Sequence, residues 1–339
     1  MEKRPLTIID IAKFLGLSKS TVSRALKNHP DISDETKEAV KKIAKELNYV
    51  KNSAASSLRY KKSNLIGLIV PEISYFFFPS VINGIENVVH DKGYNLLILQ
   101  SNEMYEREVE NTDILISNNV EGILASVART TTNIEHFRHL TDLNYPLVLF
   151  DRIVNGINAD IILVDDFEGA YNAVKHLLAT GKKRISICTG NLNLLISRNR
   201  LEGYKKALVE SGIRVDESLI FSAETSEEAE QKFIDLLKTD PLLDGIFAIS
   251  DLTMSGIMKA LNRFKKIIPD DIAVIGFCEE QYRTMYHPSL TAIEPMGFEI
   301  GKKAAELLFE QIQQNSKNLP LLEPRTVYLK SKLIKGEST

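Results

Sequence analysis

The sequence predicts a small all-α module with a helix-turn-helix, followed by a larger α/β body with parallel sheets. Up to Leu47, apolar side chains recur at helical spacing between candidate helix caps. From Ser63 onward, short β-rich runs alternate with helical patterns. The charge of the chain also changes near this point. Together these observations predict a boundary close to Lys62.

The charge is divided unevenly along the chain. Met1–Lys62 contains 14 Lys and Arg residues against 7 Asp and Glu, whereas the remainder contains 28 against 38. A basic module can neutralise phosphates and release their counterions, while an acidic body is repelled by nucleic acid. A solvated basic face on a helical domain explains the same charge, so charge alone leaves both interpretations open.

Composition narrows the class of protein. The 339 residues are 44% hydrophobic and 26% charged, which is ordinary for a globular protein of two or three domains. Apolar runs such as Leu65–Val70 are too short to span a membrane. Met1–Pro5 precedes a polar, helix-like segment, so we expect no secretory signal. Cys188 and Cys278 form no disulfide framework and suit a reducing cytoplasm.

Three short helices are expected in the N-terminal module. Thr7 and Asp10 have the spacing of a capping box, and Gly16 is a candidate C-terminal cap. Ser18 can cap a second helix, and Ser33, followed by acidic residues, can begin a third. Two helices joined by a tight turn that contains glycine form a helix-turn-helix.

The second helix offers polar side chains on its exposed face. They can hydrogen-bond to base edges and phosphates in a major groove. These candidate DNA contacts are Lys19, Ser20, Thr21, Ser23 and Arg24. Many small helical hairpins share this spacing, so the spacing alone does not decide the function.

The residues themselves carry a more specific signal. The segment TIIDIAKFLGLSKSTVSRALKN (Thr7–Asn28) resembles the DNA-binding headpiece of the LacI/GalR family of bacterial transcriptional regulators. ELNYVKNSAASSLR (Glu46–Arg59) resembles the end of that family's third helix and its hinge helix. GLIVPEIS, FDR, VDDFEGA, RLEGYKKAL and PLLDGIFAISD continue the resemblance through the body. It adds Thr7, Ser18 and Asn28 to the expected DNA contacts.

The segment Asn52–Leu58 is short and rich in Ala and Ser. A helix of this length is marginal alone, so it could fold only when two copies pack on DNA. The resemblance implies minor-groove contacts for Asn52, Ser53 and Ala55 and a wedge between base pairs for Leu58. The family usually has Pro at the position of Lys51. A plain flexible linker is the alternative.

The body is expected to contain two lobes with a cleft between them, since eleven or more strands are too many for one small sheet. The resemblance implies that these lobes are of the type I periplasmic sugar-binding kind. The predicted strands are Leu65–Val70, Asn95–Gln100, Gly122–Ser126, Pro146–Phe150, Arg184–Thr189, Gly245–Ser250 and Ala273–Gly276, and predicted helices include Pro79–Lys92, Phe167–Ala179 and Arg198–Ser211. Ligands of such sheets lie beyond the carboxyl ends of the strands.

The resemblance implies chain crossings between the lobes near Leu163, Thr291 and Leu321. The predicted domains are therefore a helix-turn-helix domain (1–50), a hinge helix or linker (51–62) and an effector-binding and dimerisation domain (63–339). Within the last, the first lobe would comprise 63–163 and 292–320, and the second 164–291 and 321–339.

The candidate effector contacts are residues that follow several strands, together with residues that the resemblance places at the cleft, Arg200, Phe77 and Phe78 among them. Apolar rings can stack on a sugar face or a base, and the planar fork of Arg200 can clamp a carboxylate, a phosphate or paired hydroxyls. The predicted set is Phe77, Phe78, Asp151, Arg152, Arg200, Glu224, Ser250, Asp251 and Cys278. The alternative for the run Phe76–Phe78 is ordinary core, with about one of the three rings simply buried.

Two positions depart from the family pattern, so the relatives' ligands cannot be transferred. Cys278 stands where the family commonly has an Asp, and a thiol is a weak donor and acceptor. Glu224 stands roughly where many relatives have an aromatic residue that sandwiches the ligand.

The sequence thus predicts a sequence-specific, dimeric transcriptional regulator, a repressor of a near-palindromic operator, controlled by a small molecule. A sugar or sugar derivative is the first choice by family frequency. A corepressor or a phosphorylated carrier protein is the alternative signal; relatives that answer a phosphocarrier use basic residues on the helix beginning near Gly301, where Glu306 stands in place of an expected Arg.

An enzyme on the same scaffold is the remote alternative. The sequence has no nucleophile elbow, dinucleotide-binding loop or phosphate-binding loop. His136 and His139 could share a metal, but no third ligand is apparent and two surface histidines are the simpler interpretation. We therefore expect no catalytic residues, metal or cofactor.

Overall fold

The computed structural model describes residues 6–47, 49, 63–154, 156–317 and 323–339. The chain forms two compact units, residues 1–63 and residues 64–339, here called the N-terminal module and the body. The described helices of the module are α1 (Ile8–Leu15), α2 (Lys19–Ala25) and α3 (Asp34–Glu46). They pack around a small core that includes Ile11, Val22 and Val40, all fully buried.

Local capping sets the ends of the module's helices. The Asp10 carboxylate accepts the backbone N–H of Thr7 at 2.9 Å, which closes the predicted capping box. Gly16 ends α1 in the left-handed conformation, with φ of 64°. The hydroxyl oxygens of Ser18 and Ser33 accept backbone N–H groups at the starts of α2 and α3. The three predicted helices are confirmed.

The body consists of two six-stranded sheets covered by helices. Its strands are β1 (Leu65–Val70), β2 (Asn95–Gln100), β3 (Ile123–Ala125), β4 (Leu147–Phe150), β5 (Asp160–Val164), β6 (Ile185–Thr189), β7 (Ile220–Ser222), β8 (Gly245–Ala248), β9 (Ala273–Phe277), β10 (Thr291–Glu294), β11 (Thr326–Leu329) and β12 (Lys332–Ile334). Its α-helices are α4 (Phe77–Asp91), α5 (Tyr105–Ser117), α6 (Glu135–Asp142), α7 (Asp166–Ala179), α8 (Leu195–Glu210), α9 (Ser226–Thr239), α10 (Asp251–Arg263), α11 (Glu280–Thr284) and α12 (Gly297–Ser316).

Each sheet is the centre of one lobe. The first sheet has the order β11-β5-β4-β3-β1-β2, and all of its pairs are parallel. The second has the order β12-β10-β9-β8-β6-β7, parallel except for the pairing of β10 with β12. Helices cover both faces, so the central strands are almost wholly apolar and buried. The predicted α/β class with parallel sheets is confirmed.

The chain crosses between the lobes later than expected at two places. Strand β10 pairs with β9 in the second sheet, so the second crossing follows Glu294 and not Thr291. Strand β11 pairs with β5 in the first sheet, and only β12 returns to the second. The third crossing therefore lies between Leu329 and Lys332, and the predicted boundary near Leu321 is wrong. The reason is that β11 and β12 are two short strands, each completing the edge of a different sheet.

Helix α12 returns the chain to the first lobe and packs closely along α4. Two glycines allow the close approach: a Cβ at Gly84 would lie 2.0 Å from the carbonyl oxygen of Phe298, and one at Gly301 the same distance from that of Val81. The segment joining β10 to α12 is thereby fixed against α4, beside the gap between the lobes.

Candidate functional site

The predicted DNA-contacting residues of the module lie on or beside α2. Lys19, Ser20 and Arg24 are exposed, whereas Thr21 and Ser23 are half-buried. Arg24 lies 3.8 Å from Asp31 through exposed side chains, a separation at which an ion pair contributes little. The guanidinium thus remains available to an external partner.

The other predicted DNA contacts have structural roles or lie outside the described residues. Thr7 and Ser18 precede α1 and α2 as capping residues. Asn28 is exposed in the left-handed conformation, with φ of 54°. Asn52, Ser53, Ala55 and Leu58 lie outside the part of the chain that the structure describes.

The two lobes of the body enclose a cavity of about 180 Å³. It is lined from both sides by residues that follow the carboxyl ends of strands, as expected for parallel sheets. All nine predicted effector contacts line it: Phe77, Phe78, Asp151, Arg152, Arg200, Glu224, Ser250, Asp251 and Cys278. The structure thus brings together residues that are far apart in the sequence and belong to different lobes.

Several lining residues were missed by the sequence analysis. They include Glu72, Tyr75, Glu103, Arg129, Asn191, Leu194, Ile196, Ser197, Ala223, Ile249, Leu252, Phe277 and Pro295. Glu72, Glu103 and Arg129 follow β1, β2 and β3, so the rule that singled out Asp151 after β4 could have found them too.

Arg200 is buried in the cavity wall and already engaged. Its Nη2 and Nε lie 2.7 and 2.8 Å from Oδ1 of Asp166, and its Nη1 donates to the carbonyl oxygen of Ile249. The guanidinium also stacks on Phe277, with Cζ 3.6 Å from the ring centroid. Asp166 neutralises the charge of Arg200, so the fork keeps free N–H donors but offers little net attraction to an anion.

A second ion pair lies on the wall of the first lobe. Nη1 of Arg152 contacts both carboxylate oxygens of Glu103 at 2.7 and 2.9 Å. Burial favours the protonated form of Glu103, but the charge and hydrogen bonds of Arg152, together with the contacts of Arg129, outweigh burial and lower the pKa of this carboxyl. Glu103 and the neighbouring Asp151 both have φ of 60°, a region that non-glycine residues rarely adopt.

Among the described residues, two buried carboxyl groups of the cavity have no cation within hydrogen-bond distance. Burial raises the pKa of Asp151 to about 6, against the opposing charge of Arg152, whose Nε is 3.8 Å away. Burial, helped by the negative charge of Glu279, raises the pKa of Asp251 to about 7. Oδ1 of Asp251 is buried and has no hydrogen-bond partner among the residues that the structure describes. Such a group gains from any ligand that donates a hydrogen bond to it.

Ser250 and Cys278 contribute less polar capacity than the sequence suggested. The hydroxyl oxygen of Ser250 accepts the backbone N–H of Thr253 and caps α10. Cys278 is buried, and burial raises the pKa of its thiol, which stays protonated. These two residues offer shape and weak hydrogen bonds rather than charge.

The three aromatic residues after β1 divide between the lobes. Phe78 is almost fully buried and Phe77 half-buried, and both line the cavity. Phe76 instead packs on Tyr282 of the second lobe, with ring centroids 5.4 Å apart. Of the three rings only Phe78 is buried, and it also lines the cavity, whereas the half-buried Phe76 contacts the opposite lobe.

An ion pair crosses the cavity from lobe to lobe. Arg129, after β3, places Nη1 2.9 Å from Oε2 of Glu224, after β7. The carboxylate of Glu103 accepts the backbone N–H of Arg129, and the buried carboxylate of Glu108 accepts the backbone N–H of Ala128 in the same loop. Buried carboxylates thus fix the loop whose arginine reaches across the cavity.

Glu224 therefore pairs with a cation rather than taking the place of an aromatic ring. His136 contacts Glu108 at 3.0 Å and is buried, so its interpretation as a surface histidine is wrong. No group of three metal-ligating side chains occurs among the described residues. No helix in the described part of the chain combines the length and hydropathy that a membrane span requires.

Comparison with known proteins identifies both parts of the chain. Residues 7–52 match the bacterial regulatory proteins of the lacI family, and residues 174–339 match a periplasmic binding protein-like domain. The ribose operon repressor of Halalkalibacterium halodurans is 34% identical over 334 residues, 98% of this chain and 97% of the relative. The chain belongs to the LacI family.

Other LacI-family proteins agree with this assignment. The transcriptional repressor PurR of Vibrio atlanticus is 31% identical over 91% of this chain and 92% of its own length. The fold matches that of the Lac repressor bound to ONPG, with a TM-score of 0.84 over 99% of this chain and 100% of that one, at 21% identity. This LacI-family protein is a DNA-binding transcriptional regulator with an effector-binding body.

The Arg129–Glu224 pair should bias the lobes of this regulator towards closure. Arg129→Ala and Glu224→Gln should each widen the distribution of distances between spin labels on cysteines introduced at Glu86 and Glu202, which are exposed on opposite lobes. A partly exposed pair contributes ~0–1 kcal/mol, so the open-to-closed ratio should change up to about fivefold with little change in Tm.

Lys238→Ala is the matched control, because its ion pair with Asp235 lies within a single helix. Unchanged distance distributions in both cross-lobe variants would contradict a role for this pair in closure.

Proposed function

We propose that this regulator represses transcription from a near-palindromic operator and that a small molecule bound between the lobes controls it. The observation that carries the proposal is the cavity itself. Residues after strands of both sheets line it, so a ligand there contacts both lobes and can change the angle between them. A relation between that angle and operator affinity is the proposed switch.

The operator would be read mainly by α2. Lys19, Ser20 and Arg24 are exposed there with hydrogen-bonding and cationic groups that suit base edges and phosphates. The protein would act as a homodimer, because a two-fold dimer matches two half-sites of a near-palindrome. Asn52, Ser53, Ala55 and Leu58 would add minor-groove contacts. DNA binding would place its activity in the cytoplasm.

The effector would be a sugar or a sugar derivative. The name of the ribose operon repressor supports this class, and so does the lining of apolar rings with a few polar groups. The cavity of about 180 Å³ is small against the ~300–1,000 Å³ of many ligand pockets, which favours a compact ligand. Ligand and DNA would be coupled by ~1–3 kcal/mol.

The alternatives have less support. The named relatives are transcriptional regulators, which argues against an enzyme. For control by a phosphocarrier, Glu306 stands on α12 where a basic residue would be expected, which argues against that signal.

Arg24→Ala should weaken binding to the selected operator by ~1–3 kcal/mol, tenfold or more, because a bidentate contact with a base edge is worth about that much. Fluorescence anisotropy at fixed salt, on an operator isolated by in vitro selection, measures the Kd. Lys42→Ala removes an exposed charge from α3 and should change the Kd less than threefold. Equal losses in both variants would refute specific reading by α2.

Removing Arg200 should abolish the response to effector while leaving operator affinity within about threefold. Arg200→Ala alone strands Asp166 as a buried charge, which costs ~3–5 kcal/mol of stability, so the informative variant combines it with Asp166→Asn. The probe is the compound with the largest thermal shift in a screen of sugars, sugar acids and nucleosides.

Arg198→Ala is the control, since this exposed arginine lies two residues away on the same helix and contacts only backbone carbonyls of its own loop. A normal effector response in the Arg200 double variant would exclude Arg200 as a ligand contact.

A further inference from the structure

The charges of the cavity are not balanced. Its three described arginines are each paired with a carboxylate: Arg200 with Asp166 at 2.7 Å, Arg152 with Glu103 at 2.7 Å and Arg129 with Glu224 at 2.9 Å. The described lining contains no lysine. An anionic ligand would therefore have to compete with an internal carboxylate for every cation it met.

Carboxyl groups remain after this pairing. Oδ1 of Asp251, a residue that is 6% exposed, is buried and has no hydrogen-bond partner in the described part of the chain. Asp151 reaches no cation within hydrogen-bond distance, its nearest being Nε of Arg152 at 3.8 Å. Glu72 also lines the cavity. Burial raises the pKa of its carboxyl, and the negative charge of Glu103 adds to this effect. The groups of the cavity that remain for a ligand are therefore hydrogen-bond acceptors.

Asp151 and Asp251 belong to opposite lobes, after β4 and β8. Each is held by its own sheet, so a ligand that donates hydrogen bonds to both would draw the lobes together. A phosphate or carboxylate on the ligand would instead bring a like charge to two desolvated acids, which repels it in a low-dielectric site.

Resting on the proposed effector cavity, we propose that it selects a non-anionic, donor-rich metabolite, a neutral polyol or its amine-bearing counterpart, which donates to Asp151 and Asp251. Phosphorylated and acidic sugars are excluded. The fork of Arg200 then serves hydroxyl groups through its remaining N–H donors and does not act as an anion clamp.

Ligand binding of this kind depends on pH with a defined sign. Burial holds the pKa of Asp151 at about 6 and that of Asp251 at about 7, so both are partly protonated in the empty cavity near neutrality. A donor prefers the ionised carboxylates, so binding releases protons and affinity rises from pH 5.5 to pH 8. An anion would prefer the protonated acids and show the opposite slope.

The test uses the full chain and sets of related probes that differ in charge. The sets are ribose with ribose 5-phosphate; glucose with glucosamine, gluconate and glucose 6-phosphate; and adenosine with its 5′-monophosphate. Thermal shift ranks them, and calorimetry gives the Kd between pH 5.5 and 8. In at least one set the neutral or amino member should bind, with the anionic members at least 100-fold weaker. Comparing glucose with glucosamine distinguishes hydroxyl from ammonium donors.

Asp251→Asn should weaken binding of the probe at least tenfold and reduce its pH dependence to the part that Asp151 contributes, since Asn keeps the shape but cannot ionise. Asp235→Asn, on the exposed face of α9, should change neither. A far-ultraviolet spectrum and the Tm establish that both variants fold.

The outcomes separate this inference from the proposed function. If an anionic member binds as tightly as its neutral counterpart, the charge selection is wrong and the effector cavity stands. If no member of any set binds, the effector cavity fails and the charge selection fails with it. If a neutral probe binds wild type and Asp251→Asn equally, the assigned acceptor is wrong.

Discussion

The structure depends on one topological constraint: the carboxyl ends of two parallel sheets face the same cavity. Three crossings connect the lobes, and each lobe takes strands from both sides of at least one crossing. Rotation of either sheet therefore moves the cavity wall that this sheet provides. A molecule bound between the lobes therefore contacts both walls, which is how the proposed effector could change the angle between the lobes.

The same cavity contains buried charged groups, and burying such groups costs stability. Arg200 and Asp166 neutralise one another in the wall, while Asp251 is desolvated with an unsatisfied oxygen. Binding sites commonly retain such groups, because the ligand supplies the missing partner. The Arg129–Glu224 pair adds a contact between the lobes that needs no ligand. In the proposed switch, this pair contributes to closure without a ligand, and the bound ligand adds a further contribution.

Much of this could be predicted from sequence, because it follows from local rules. Caps at Ser18 and Ser33 and the alternation of strands with helices are local patterns. The rule that polar residues follow strand ends found Asp151 and Asp251. The partners of those residues could not be predicted: Asp166 with Arg200 and Arg129 with Glu224 depend on register between distant elements. The late crossing at Leu329 was missed because β11 and β12 are too short for sequence to assign each to its sheet.

The proposed switch requires that ligand binding in the cavity and operator binding are coupled, with the same coupling free energy measured from either side. The direct measurement is the Kd for labelled operator with and without a saturating cavity ligand, beside the Kd for that ligand with and without saturating operator. The Kd for operator and the Kd for ligand should change by the same factor, and this factor should differ from one. Linkage is reciprocal whether the ligand releases DNA or promotes its binding. Two fold-changes of one, with the ligand bound in the cavity, would contradict it.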